Sequence, residues 1–141
     1  MNIEELYHGA DEDGIPILFL KIPENGSMCI QTENNCYIGM DYGLLKNEAD
    51  KLVHLAHELG HCKTGAFYNR WAARDIRQKH EHKADKWAIE HTITADELDD
   101  AIADGCGEYW QLAERFGVTV EFIKKTVCWY TYGNLAIDKY L

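Results

Sequence analysis

The chain has 141 residues, 46% hydrophobic and 27% charged, with 14 basic side chains against 24 acidic ones and a formal net charge of −10. This length suits a single α+β domain able to bury roughly two-thirds of its unfolded surface, and the acidic balance disfavours nucleic acid and anionic membrane as partners. The longest apolar stretch, Ile15 to Leu20, is far short of a membrane span, and the acidic start Met1-Asn2-Ile3-Glu4-Glu5 lacks the basic residues of a secretory leader.

Residues 1–45 read as β-rich. Ile15 to Ile22 forms a first strand, closed by the turn signal Pro23-Glu24-Asn25-Gly26. Ser27 to Thr32 alternates apolar and polar residues, Asn34-Asn35 suits a tight turn, and Cys36 to Asp41 alternates again. A three-stranded antiparallel meander is expected.

Residues 46–91 turn helical. Ala49, Leu52, Val53, Ala56 and Leu59 recur at three- and four-residue steps, giving a helix from Lys46 to about Cys62 that Thr64-Gly65 ends. A second helix is expected from about Trp71 to His91, with Ala73, Ile76, Ala84, Trp87, Ala88 and His91 on its inner side. Residues 92–141 supply C-terminal helices. Thr94 with Glu97 is a capping box, and two further helices follow, Tyr109 to Phe116 and Val120 to Tyr130.

Charge divides the same way. Residues 1–50 carry ten acids and two bases, residues 51–91 five acids and eight bases, and residues 92–141 nine acids and four bases. Six of the seven histidines (His54, His57, His61, His80, His82 and His91) fall in the basic middle segment. The five cysteines form no CxxC pair, and all five are expected as free thiols in a reducing cytoplasm.

His57-Glu58-Leu59-Gly60-His61 is an HExxH motif on the first predicted helix. Side chains four residues apart stand one above the other, so both imidazoles can reach one cation. Glu58 then lies beside the open coordination position, where it can take a proton from water whose pKa the cation has lowered. A shuffled sequence of this composition contains the pattern with a probability of about 3%, so the third ligand decides. The metzincin spacing fails, because Thr64 and Phe67 stand where Gly and His are needed. Glu81 on the second helix fits as an acidic ligand, and Asp85 one turn on can accept a histidine N–H. Gly60 costs a helix about 1 kcal/mol relative to Ala, which close approach of the second helix or the sheet would explain. These donors favour Zn²⁺; Mn²⁺ and Fe²⁺ also accept them.

The remaining histidines are expected elsewhere: His80 and His82 solvated, His54 packing or capping, and His91 partly buried in the core. Cys62 reads as a small buried thiol. Tyr68 and Arg70, between the two metal helices, are candidates for stabilising an oxyanion, and Tyr37 is a further one.

The run His57-Glu58-Leu59-Gly60-His61-Cys62, the following Gly65-Ala66-Phe67-Tyr68-Asn69, and Glu81-His82-Lys83-Ala84-Asp85-Lys86-Trp87-Ala88 resemble the ImmA/IrrE metallopeptidases. The resemblance implies a minimal gluzincin-like core with His57, His61 and Glu81 as metal ligands, Glu58 as general base and Asp85 as an orienting residue. It also implies a protein substrate, a helix-turn-helix repressor of a phage, mobile element or stress regulon. Many members carry a Leu-Met-Pro-like segment where this chain has His91-Thr92-Ile93-Thr94.

Ala113-Glu114-Arg115-Phe116-Gly117-Val118 with Ile123 has helix-turn-helix spacing, but the second helix offers only Lys124 and Lys125 as bases. A packed hairpin is expected rather than a DNA reader. The sequence thus reads as a cytoplasmic zinc metalloendopeptidase. The alternative is a non-catalytic, metal-containing module that inactivates a regulator by association.

Overall fold

The computed structural model describes residues 1–69 and 71–136. It opens with a helix, α1 (Ile3–Glu12), that the β-rich reading of the N-terminal part did not include. Asn2 caps it by accepting from the Glu5 amide, Glu4 and Glu5 complement the positive end of its dipole, and Leu6 and Ala10 are buried.

Three strands follow: β1 (Ile17–Phe19), β2 (Ser27–Gln31) and β3 (Cys36–Met40). They form one sheet in the order β1-β3-β2. The β2–β3 pair is antiparallel, as expected, with Cys29 opposite Ile38. The β1–β3 pair is parallel, with Ile17 opposite Ile38, so the sheet is mixed and the all-antiparallel meander is corrected. The reason lies at the end of β3. The Leu20 amide donates to the Met40 carbonyl, and the Ile22 amide to Asp41 Oδ2. The Asp41 amide donates to the Gly26 carbonyl. These bonds carry the chain across β3 before the Pro23–Gly26 turn delivers it to the far side. β2 thereby becomes an edge strand.

Helix α2 (Glu48–Thr64) runs from an Asn47 cap to Gly65, whose φ of 68° is the left-handed conformation glycine tolerates best. Its residues Leu52, Leu55, Ala56 and Leu59 pack in the core with Ile38 and Met40 of β3. Helix α3 (Arg74–Thr92) starts three residues later than expected and buries a narrower face of Ala84, Ala88, Ile89 and Thr92. Ala73, Ile76 and His91, expected on that face, are exposed: Ala73 is the residue before the first turn, and His91 stacks on Trp87 and bonds its carbonyl.

Helix α4 (Ala95–Ala103) has the expected Thr94–Glu97 capping box. The last two helices, α5 (Tyr109–Phe116) and α6 (Val120–Tyr132), form a hairpin turning at Gly117. Leu112, Val118, Phe122 and Ile123 join the core. Trp129 Nε1 donates to Glu90 and the Tyr130 hydroxyl to the Ile93 carbonyl, tying α6 to α3 and its C-terminal end.

Cys36 of β3 and Cys62 of α2 form a disulfide, with Cα atoms 5.9 Å apart. The expectation of five free thiols therefore fails for this pair, and Cys62 is not a buried thiol. Packing of the sheet on α2 brings the two Cα atoms within bridging distance, although they lie 26 residues apart in sequence. Cys29, Cys106 and Cys128 are free. Among the described residues no helix is long and apolar enough to cross a membrane.

Candidate metal centre

The close pairing of α2 and α3 creates the centre. A Cβ at Gly60 would lie 2.4 Å from the Ala84 carbonyl oxygen, so only glycine permits this approach. It brings Glu81 and Asp85, one turn apart on α3, against the two histidines of α2. His57 Nε2 and His61 Nε2 are 3.2 Å apart. Glu81 spans them, with Oε2 2.9 Å from His57 Nε2 and Oε1 3.1 Å from His61 Nε2. One donor atom from each of the three residues lies within 4.8 Å of the others.

The outward nitrogens are already committed. His57 Nδ1–H donates to Asp85 Oδ1 at 2.7 Å, and Lys125 Nζ of α6 holds the other Asp85 oxygen at 3.3 Å. His61 Nδ1–H donates to the Ala66 carbonyl just past the helix end. With both Nδ1 atoms donating, neutral rings turn two lone pairs toward a carboxylate. Three converging acceptors repel unless a cation lies among them, and this donor set fits a divalent metal ion.

Without a metal, protons must serve. Burial opposes charge on His57, but its hydrogen bonds to Asp85 and Glu81 prevail and lift its pKa from 6.5 to about 10. His61 shifts up in the same way: burial works against it, and bonds to Glu81 and the Ala66 carbonyl outweigh burial. Burial would raise Glu81 and Asp85, yet their bonds to the histidines hold both carboxyls below their ordinary range.

Glu58 faces the same cleft and is buried. Its Oε2 accepts from Ser27 Oγ at 2.7 Å, and Ser27 Oγ is also 2.7 Å from His54 Nδ1. His54, expected to pack or cap, thus faces a serine that no sequence motif marks. Lys125, in sequence only one of two bases on the last helix, reaches the centre through Asp85. The Cys29 thiol also lines the cleft, and burial first, then the charge of Glu58, push its pKa up.

Tyr68 donates to Glu81 Oε1 at 2.9 Å from the lip of the cleft. Burial and then that bond push its pKa up to about 12. His80 is half-buried and stacked on Tyr68, whereas His82 is exposed as expected. Tyr37 lies on β3 between the inward-facing Cys36 and Ile38 and does not line the cleft. Arg70 lies outside the described residues. The cleft has a volume of about 860 Å³, with β2 residues Ser27 to Cys29 on one wall and Glu121, Phe122 and Lys125 of α6 on another.

The sequence pattern of the IrrE N-terminal-like domain, a peptidase family, matches residues 10–127. The chain belongs to this family. The match takes in the sheet, both helices of the metal centre and most of α6. Comparison with curated proteins and with solved structures gives no match. Membership gives this IrrE-like chain a metallopeptidase-type function and a protein substrate, and the His57, His61 and Glu81 cluster is compatible with the family's dependence on a metal.

Proposed function

We propose that the protein is a zinc-dependent endopeptidase that cleaves a helix-turn-helix repressor. The observation that carries this reading is the convergence of two histidine Nε2 atoms and the Glu81 carboxylate beside buried Glu58 in an open cleft. Zn²⁺ is the metal that two imidazoles and one carboxylate favour, and when bound it supplies Lewis acidity toward water and the scissile carbonyl. Glu58 takes the proton of the attacking water on its carboxylate and returns it to the leaving amine. Asp85 keeps His57 in the tautomer that turns Nε2 inward. Tyr68, freed from Glu81, donates its hydroxyl hydrogen to the developing oxyanion.

The substrate segment lies extended along the cleft and pairs with the free edge of β2, whose residues Ser27, Met28 and Cys29 line that wall. The acidic surroundings of the site attract the basic surface of a DNA-binding protein. Such a substrate is met in the cytoplasm, where thiol reductants favour the dithiol form of Cys36 and Cys62.

Mass spectrometry of a repressor co-expressed with the protein tests this reading. Two fragments sharing one new terminus are expected. An intact repressor whose regulation is nevertheless relieved would instead identify a module that acts by association.

A further inference from the structure

A general base works from one oxygen, and a carboxylate can turn about its last bond to present either. In this protein one oxygen of Glu58 is already taken. Ser27 reaches it from β2, outside the motif, and both side chains are buried, at 6% and 7% exposure. The hydrogen count fixes the direction of the chain of bonds. The Glu58 carboxylate only accepts, so the single Ser27 hydroxyl hydrogen goes to Oε2. Ser27 Oγ then has only lone pairs for His54, so His54 Nδ1 must carry the hydrogen it donates. Burial, the largest influence on His54, lowers its pKa and favours the neutral ring.

We infer that Ser27, oriented by His54, is a positioning residue for the proposed peptidase reaction: it grips Glu58 Oε2 so that Oε1 is the atom that meets the water. The inference rests on Glu58 acting as general base and adds what the HExxH motif does not hold, a clamp supplied by the sheet. A helix fixes the Cα of a glutamate but leaves three side-chain torsions to choose the carboxylate's plane. Ser27 removes that choice. It does so from the edge strand that the substrate is proposed to extend, so base and substrate are set by one element.

Two readouts test it on the full chain loaded with zinc. In ¹⁵N-histidine NMR the ring of His54 is expected as the neutral Nδ1–H tautomer, and Ser27→Ala is expected to release it to Nε2–H. A wild-type Nε2–H tautomer, or a ring unchanged in Ser27→Ala, would overturn the inference whatever the activity. The second readout is cleavage of an internally quenched random peptide library. Ser27→Ala should lower kcat by about tenfold or more, with KM within about twofold and zinc content unchanged.

Ser27→Thr, which keeps the hydroxyl, should restore most of kcat. His54→Asn, whose amide can replace the Nδ1–H donor, should retain more activity than His54→Leu. The double variant Ser27→Ala with His54→Leu should be no slower than Ser27→Ala alone, because both changes break one chain of bonds. Failure of the endopeptidase reading looks different: the zinc-loaded wild type would then cleave no peptide at all, while the His54 tautomer still reports the clamp. Failure of the clamp leaves Glu58→Gln inactive while Ser27→Ala keeps the wild-type kcat.

Discussion

Gly60 of α2 and Ala84 of α3 touch backbone to backbone, and a Cβ on Gly60 would stand 2.4 Å from the Ala84 carbonyl oxygen. The obstacle is backbone, which cannot swing aside as a side chain can. This contact sits one residue from His61 and one from Asp85, so it sets the distance between the two halves of the metal centre.

Gly60→Ala is therefore expected to destabilise the protein, although alanine is the better helix former by about 1 kcal/mol. Overpacking of a tight contact costs about 1–3 kcal/mol. Denaturant unfolding should show a lowered midpoint, and zinc titration a weakened affinity, because α3 must move away from α2.

The Cys36–Cys62 bridge closes a loop across the sheet–α2 interface. A loop of this size contributes about 3.5 kcal/mol by restricting the unfolded chain. Guanidinium unfolding with and without a dithiol reductant should reveal a loss of about 2–4 kcal/mol on reduction. The double variant Cys36→Ser with Cys62→Ser should behave alike in both conditions.

Asp85 holds His57 Nδ1 and is held in turn by Lys125. Asp85→Asn, which can no longer enforce the same tautomer, is expected to weaken zinc binding by about 10- to 100-fold. Competition with a chromogenic chelator measures this directly. Lys125→Met should weaken it less, since it removes only the partner of Asp85.

Much of this centre was legible from sequence because helical spacing is short-range and rigid. His57 and His61 four apart, and Glu81 and Asp85 four apart, predict two facing pairs once two helices are assumed to pack. Gly60 announced their closeness. The Ser27 clamp was not legible, since its partners lie 27 and 31 residues away and a serine after a turn has many uses. The sheet order was missed for a similar reason. The Pro23–Gly26 turn is where it was expected, but the bonds of Leu20, Ile22 and Asp41 around the end of β3 decide which side of β3 it leads to. Helix α1 did leave a signal, Ile3, Leu6, Tyr7 and Ala10 at helical steps behind Asn2, that the β-rich reading passed over.

The metal-free protein should be most stable between about pH 5 and 6.5. His57 has its folded pKa raised from 6.5 to about 10, so its contribution is complete below 6.5 and is lost as pH rises through 10. Glu81 and Asp85 have theirs depressed, so their contribution is lost as pH falls into the acid range. Guanidinium midpoints of chelator-treated protein across this range check both limbs. At pH 7 zinc uptake must also displace the proton on His57, releasing about one proton or more per chain. Calorimetry in two buffers of different ionisation enthalpy reads that number.

The central claim is that His57, His61 and Glu81 hold zinc while Glu58 moves the proton. Its most direct test is Glu58→Gln, with zinc per chain and repressor cleavage measured on the same preparation. Zinc near one per chain is expected, with cleavage reduced by about 100-fold or more. Cleavage at the wild-type rate by the zinc-loaded variant would contradict it.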